Sequence, residues 1–147
     1  MNAADFFTPE GRKLIEQAIA DSERITSAEI RVHVEISFTA DVLDRAATVF
    51  ARLGMHKTKQ RNAVLILLGI ENRQFAVIGD SGINKLVPEG FWDEIKNKME
   101  SHFRDGEFAQ GLTVGIKMAG EQLSRHFPYQ PGDINELSNE MSFDSSE

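Results

Sequence analysis

The segment that decides the fold is residues 62–83, which read NAVLILLGIENRQFAVIGDSGI. It contains two apolar runs, residues 63–68 and residues 75–78, joined by a short polar link. The first run is far shorter than the roughly 20 residues that span a bilayer. Its unbroken series of apolar residues is typical of a strand that is buried on both faces. Because the link is short and polar, we expect the second run to return as an antiparallel strand.

The region before this segment predicts a strand and then a helix. Apolar and polar residues alternate through residues 28–37, which predicts a strand with one face exposed to water and with His33 on that face. Residues 42–53 carry an apolar stripe at helical spacing after a capping Asp41. A strand–helix–strand crossover unit makes its two strands parallel and is nearly always right-handed. The strands of residues 28–37 and 63–68 are therefore expected to be parallel.

Three further helices are predicted around this sheet. Their expected ranges are residues 9–24, 88–103 and 108–127, with one helical turn at residues 83–86 and with Thr8 as the N-cap of the first helix. The last helix contains Gly111, Gly115 and Gly120, which predicts close packing against another element. We therefore expect residues 1–128 to form a single-domain α/β sandwich. Its small mixed sheet has two parallel strands and an antiparallel hairpin strand, flanked by four to five helices.

Composition and charge exclude several classes of protein. The 147 residues contain no cysteine, which removes disulfides, thiolate nucleophiles and cysteine zinc sites. Five acidic residues and no basic residue lie in residues 129–147, so five of the seven net negative charges belong to a segment that we expect to be a disordered acidic tail. The remainder is close to neutral and lacks the basic face of a nucleic-acid-binding protein.

Targeting signals are also missing from the sequence. No apolar segment is long enough to span a membrane, and the first residues lack the basic and apolar regions of a signal peptide. We therefore expect no membrane span and a cytoplasmic location.

Oxygen-bearing side chains are predicted to meet at one edge of the sheet. If the first two strands are parallel and the third runs back, then Glu29, Asn62 and Asp80 lie at the same end of the sheet. Carboxylate and amide oxygens suit Ca²⁺ or Mg²⁺, and such a site also supports metal-assisted phosphoester hydrolysis with Asp80 as the candidate catalytic residue. The structural alternative is that Asp80 caps the following helical turn and Glu29 is a solvated strand residue.

A second acidic position lies between the last two helices. Asp105 is interpreted either as the N-cap of the last helix or as a member of a separate oxygen-rich site. Other catalytic patterns are absent: there is no twelve-residue calcium loop, no nucleophile elbow, and no ligand-like spacing among the four histidines.

Four sequence motifs carry a resemblance to a known family. They are TSAEIRV at residues 26–32, RNAVLI at residues 61–66, FAVIGDSGI at residues 75–83, and FRDGEF at residues 103–108 followed by Gly111 and Leu112. In this order and spacing they resemble the TPM domain family, also called the TPM phosphatase family, over residues 8–127. The resemblance implies a small α/β sandwich that binds divalent cations, calcium in particular, and makes Glu29, Asn62, Asp80 and Asp105 the positions to test.

Three hypotheses about function follow. The first is a divalent-cation-binding TPM domain, most simply a calcium-binding one, with a regulatory or interaction role. The second is a weak metal-assisted acid phosphatase, an activity suggested for family members similar to thylakoid proteins of photosystem repair. The third is an adaptor that binds a protein partner through its acidic tail.

Overall fold

A mixed four-stranded sheet forms the centre of the molecule. The computed structural model describes residues 2–132 and 137–143. The strands are β1 (Glu29–Glu35), β2 (Ala63–Gly69), β3 (Gln74–Gly79) and β4 (Ser142–Phe143), and their order across the sheet is β3-β2-β1-β4. β1 pairs in parallel with β2, and β2 pairs antiparallel with β3. The predicted parallel pairing of the first two strands and the predicted antiparallel hairpin are therefore confirmed.

Within the described residues, five helices cover the two faces of this sheet. They are α1 (Pro9–Ser22), α2 (Val42–Arg52), α3 (Ser81–Asn84), α4 (Asp93–Arg104) and α5 (Phe108–Leu123), with short 3-10 turns at Ala3–Asp5 and Met55–Lys57. One core contains side chains of α1, α4 and α5 packed on the sheet, and the other contains side chains of α2. The fold is a small α/β sandwich, as predicted.

Local sequence explains where the first helices begin. The Thr8 hydroxyl accepts a hydrogen bond from the Gly11 N–H at 3.0 Å, and Pro9 occupies the first turn of α1. The Asp41 carboxylate accepts a hydrogen bond from the Leu43 N–H at 3.0 Å at the start of α2. Both side chains satisfy backbone N–H groups that have no partner within the helix, as the sequence predicted.

The start of α4 differs from the prediction. The helix begins at Asp93 rather than at residue 88, because Gly90 adopts a left-handed conformation with φ of +81° that no helix accommodates. The Phe91 N–H donates to the Pro88 carbonyl at 3.2 Å, so the preceding residues form turns instead. α5 likewise ends at Leu123 rather than at residue 127.

The alternating face of β1 is buried, and the prediction that it is wet is wrong. His33 and Glu35 are each 1% exposed, and Glu29 is 4% exposed. The polar face is tolerated because it is covered by charged partners, among them Arg45 of α2, whose guanidinium donates to Glu35 at 2.7 Å. His33 is therefore not the exposed strand histidine that the pattern indicated.

Residues 137–143 form a strap that packs along β1, and the prediction of a disordered tail is wrong for these residues. β4 pairs in parallel with β1 at His33 and Val34, and Met141 is only 5% exposed within the larger core. Two apolar side chains, Leu137 and Met141, pack on opposite faces of the sheet and explain why an acidic segment docks. Tail residues 133–136 and 144–147 lie outside the described residues.

Candidate functional site

Three of the predicted site residues lie at one end of the sheet. The Glu29 N–H donates to the Asn62 carbonyl at 3.3 Å, and the Asp80 N–H donates to the Ala63 carbonyl at 2.9 Å. Since neighbouring strands lie about 4.8 Å apart, the Cα atoms of Glu29 and Asp80 are separated by about 10 Å across β2. The topological argument thus places Glu29, Asn62 and Asp80 at the same rim.

The carboxylate of Asp80 is held by protein donors. Arg61 Nε and Nη2 donate to its two oxygens at 2.6 and 2.9 Å, and the Ser81 N–H donates at 2.8 Å. Burial alone would raise the pKa of Asp80, but the hydrogen bonds from Arg61 and Ser81 outweigh it and lower that pKa below its usual range. Asp80 is the N-cap of α3, as the structural alternative drawn from the sequence predicted. The other part of that alternative is wrong, because Glu29 is 4% exposed and is not a solvated strand residue.

Asn62 is fully enclosed beside this ion pair. Asn62 is 1% exposed, and its Nδ2 atom donates a hydrogen bond to the Ser27 carbonyl at 3.2 Å. The Oδ1 atom is buried and has no hydrogen-bond partner. A buried acceptor without a donor is uncommon in folded proteins.

Asp105 lies far from the other three residues. Asp105 is the C-cap residue of α4 and lies two residues after Phe103 in the chain. The ring of Phe103 packs on Phe75 with ring centroids 5.0 Å apart. Phe75 pairs with Leu68, at the end of β2 opposite to Ala63, so Asp105 belongs to the opposite end of the sheet. Nor does it cap the last helix, because Glu107 is the N-cap residue of α5 and makes no capping hydrogen bond through its side chain.

A second carboxylate, which the sequence prediction missed, lies beside Glu29. Glu23 Oε2 accepts a hydrogen bond from the Ile30 N–H at 3.0 Å, whereas Glu23 Oε1 is buried without a partner. Burial is the main cause that raises the pKa of Glu23 to about 8, with the negative charge of Glu29 adding to it and the Ile30 N–H opposing it.

Glu23 and Glu29 both line a cleft of about 800 Å³. The cleft lies between the end of α1 and the turn after α5, and the strap residue Asn139 forms part of its wall. The Glu29 Oε1 atom accepts a hydrogen bond from the Leu137 N–H of the strap at 3.0 Å. The wall of the cleft therefore contains two carboxyl groups as well as the basic residues Arg24 and Lys59, and its volume is large enough for an ion with its waters.

One signal in the sequence points to Glu23. A carboxylate at the C-terminal end of a helix is electrostatically unfavourable, because the helix dipole places negative charge there. Glu23 is the C-cap residue of α1, so it occupies a position where a cation rather than an anion is favoured. The sequence alone indicates this unfavourable position of Glu23, but it does not indicate that Glu23 lies near Glu29.

A buried polar chain runs along the same face of β1 and was also missed. His33 Nε2 lies 2.9 Å from Glu35 Oε2, and His33 Nδ1 lies 2.7 Å from the Ser142 hydroxyl of the strap. Burial lowers the pKa of His33 despite the opposing carboxylate of Glu35. His33 is 1% exposed, and this polar chain joins the strap to α2.

Groups of three or more histidine and acidic side chains that suit a metal ion are absent from residues 2–132 and 137–143. Any ion bound by these residues would therefore rely on two carboxylates together with amide, carbonyl or water oxygens, which is a ligand set that Ca²⁺ accepts and Zn²⁺ does not favour. None of the helices in the described part of the chain has the length and apolar character that crossing a bilayer requires.

Comparison with known proteins places this fold among solved structures. It is similar to the NMR structure of the BA42 protein from the psychrophilic bacterium Bizionia argentinensis, with 45% sequence identity and a TM-score of 0.91 over 95% of this chain and 97% of that one. No curated protein matches the chain.

Two more distant structures share the fold. The N-terminal domain of a P. gingivalis protein is 22% identical with a TM-score of 0.69, over 86% of this chain and 83% of that one. The N-terminal domain of cg2496 from Corynebacterium glutamicum is 14% identical with a TM-score of 0.65, over 97% and 84% of the two chains. At these identities the likeness concerns the fold alone. Residues 1–122 match the profile described as the TPM domain, and the chain therefore belongs to the TPM domain family.

Proposed function

We propose that this chain is a divalent-cation-binding TPM domain with a regulatory role, and that Glu23 and Glu29 hold the cation, with Ca²⁺ the first ion to test. The observation that carries the proposal is the buried Oε1 atom of Glu23, which lacks a hydrogen-bond partner, in a residue that lines the same cleft as Glu29. A buried carboxyl oxygen without a hydrogen-bond partner is costly, and a cation that replaces the proton of Glu23 would satisfy it.

The chemistry of the donors supports a hard cation. Two carboxylates provide charge, and Ca²⁺ completes six to eight ligands with carbonyl oxygens and water. Without a cation, Glu23 keeps its proton at neutral pH because its pKa is raised to about 8. A bound cation would displace that proton, so binding and proton release are expected to occur together.

The set predicted from the sequence remains the competing proposal. Within it, Asp80 is already neutralised by Arg61 at 2.6 Å, and a cation there would have to displace a guanidinium. Asn62 offers a partnerless Oδ1 atom at the same rim. Asp105 is too distant to share an ion with either residue, so it would need a site of its own.

A calcium titration followed by ¹⁵N NMR tests the proposal. We expect the amide signals of Glu23, Glu29, Ile30 and Leu137 to shift at millimolar Ca²⁺, and Glu23→Gln to weaken binding at least tenfold. Asp80→Asn is the matched control, because it neutralises a carboxylate of the competing set and is expected to leave affinity within twofold.

Calorimetry in buffers of different ionisation enthalpy provides a second readout. At pH 7, up to one proton per bound ion should be released by the wild type, and none by Glu23→Gln. Shifts confined to Asp80 and Asn62 would favour the competing set instead. An unchanged spectrum at millimolar Ca²⁺ and Mg²⁺ would overturn cation binding altogether.

The alternative functions stay predictions. Phosphatase activity is implied by the family resemblance alone, and hydrolysis of an aryl phosphate by wild type and Asp80→Asn would test it. The docked position of residues 137–143 supports a regulatory role for the strap more than that of a freely extended adaptor tail. Protein partners and the cytoplasmic location expected from the sequence are also predictions.

A further inference from the structure

The strap contacts the candidate site at its first residues. The Leu137 N–H donates to Glu29 Oε1 at 3.0 Å, so the strap orients one of the two carboxylates that face the cleft. Asn139 of the strap lines the same cleft. The cleft therefore has its complete wall only when the strap is docked.

The strap is anchored at its other end by contacts outside the cleft. The Met141 N–H donates to Glu16 Oε2 at 3.1 Å, and the Met141 side chain is 5% exposed. The Ser142 hydroxyl lies 2.7 Å from His33 Nδ1, and the Phe143 ring lies 4.9 Å from the Arg12 guanidinium. None of these anchors lines the cleft. Substitutions at the anchors can therefore loosen the strap while every residue that lines the cleft keeps its identity.

We propose that docking of the strap and binding of a divalent cation in the cleft are coupled, each favouring the other. This inference rests on the proposed function. A docked strap fixes the Glu29 carboxylate through the Leu137 N–H and adds Asn139, whose amide carbonyl is a ligand type that Ca²⁺ accepts. When the strap leaves, Glu29 loses this donor and the cleft opens to water.

Coupling of this kind is reciprocal. If the docked strap increases cation affinity by a given factor, the bound cation stabilises the docked strap by the same factor. Coupling between sites typically changes affinity by about 5- to 150-fold. Because the strap contributes one donor to Glu29 and one wall residue, we expect a change of about tenfold.

The test compares Ca²⁺ affinity in the full chain with and without a secure strap. Met141→Ala removes the main apolar anchor of the strap, and Met118→Ala is the matched control, because Met118 is a partly buried methionine that packs on the same core from α5. We expect the dissociation constant of Ca²⁺ to rise about tenfold in Met141→Ala and to stay within twofold in Met118→Ala. Ser142→Ala is a second variant that loosens the strap with a smaller change in volume.

Amide hydrogen exchange supplies the reciprocal measurement. Saturating Ca²⁺ should slow exchange of the Met141 and Ser142 amides about tenfold in the wild type. Equal Ca²⁺ affinity in a variant whose strap exchanges as a detached segment would overturn the coupling and leave the proposed function intact. A wild type that binds no Ca²⁺ or Mg²⁺ would overturn both.

Discussion

At the scale of single residues, the buried Glu35 illustrates how a polar strand face is stabilised. Its carboxylate is 1% exposed and is contacted by His33 at 2.9 Å and by Arg45 at 2.7 Å. Taking a charge out of water is costly unless its partners remain in place. Removing the charge of Glu35 is therefore expected to destabilise the protein mainly because His33 and Arg45 lose their charged partner.

We predict that Glu35→Gln destabilises the protein by about 3 kcal/mol, since it removes one charge from a buried, hydrogen-bonded pair. Asp21→Asn is the control, because the Asp21–Arg24 pair lies on the surface with side chains 49% and 73% exposed. The control should cost less than about 1 kcal/mol. Urea unfolding at pH 7 measures both, and similar small losses in the two variants would show that the buried pair is energetically unimportant.

Single residues also show the limits of the sequence as a guide. The period-two pattern of β1 was read correctly as a strand, but the same pattern cannot say whether the polar face meets water or other charges. That depends on Arg45 of α2 and Ser142 of the strap, which are distant in sequence from His33. Glu23 was missed for a different reason: it is close to Glu29 in sequence, but the turn between α1 and β1 decides whether the two carboxyl groups lie together.

At the scale of elements, the glycines of α5 fit their predicted role in close packing. A Cβ atom at Gly120 would lie 2.6 Å from Ser22 Cβ of α1, and a Cβ atom at Gly115 would meet the side chain of Met99 of α4. α5 therefore approaches two helices at positions where no side chain fits. Helix propensity alone would favour alanine by about 1 kcal/mol at each position.

We predict that Gly120→Ala destabilises the protein by about 2 kcal/mol, because Ser22 Cβ cannot move without moving α1. Gly115→Ala should cost less, since the flexible Met99 side chain can rearrange. Ser22→Gly combined with Gly120→Ala is expected to recover most of the loss by removing the clashing atom. Urea unfolding measures all four proteins, and a Gly120→Ala variant as stable as the wild type would contradict the close approach.

Element boundaries followed from local chemistry only in part. The starts of α1 and α2 were predicted because Thr8 and Asp41 are capping residues that act through their own neighbours. The start of α4 was missed because the left-handed Gly90 breaks an otherwise helical pattern. The strap was missed because its two apolar anchors, Leu137 and Met141, are widely spaced and need the finished sheet to pack against.

At the scale of the whole molecule, Glu23 and His33 are expected to give opposite dependences of stability on pH. Burial raises the pKa of Glu23 to about 8, so its contribution is fully present below pH 4.5 and is lost as pH rises through about 8. Burial lowers the pKa of His33 below 6.5, so its contribution is present above pH 6.5 and is lost as pH falls through the lower value. Between these limits the two contributions oppose each other.

We predict that single variants separate these contributions when stability is measured by urea unfolding in EDTA from pH 5 to pH 8. Glu23→Gln mimics the protonated carboxyl, so it should match the wild type near pH 5 and exceed its stability at pH 8 by about 2 kcal/mol. This is less than the full pKa shift implies, because Glu23 is partly solvated. Glu89→Gln is the control for an exposed carboxylate and should leave the pH profile unchanged.

His33→Gln should flatten the profile at the acidic side, because the variant has no imidazole to protonate between pH 5 and pH 6.5. Its stability is compared as a slope against pH rather than as an absolute value, since the substitution also alters the contact with Ser142. The double variant Glu23→Gln with His33→Gln should show the weakest pH dependence of the set. A double variant with the same profile as the wild type would mean that neither Glu23 nor His33 controls the pH dependence of stability in this range.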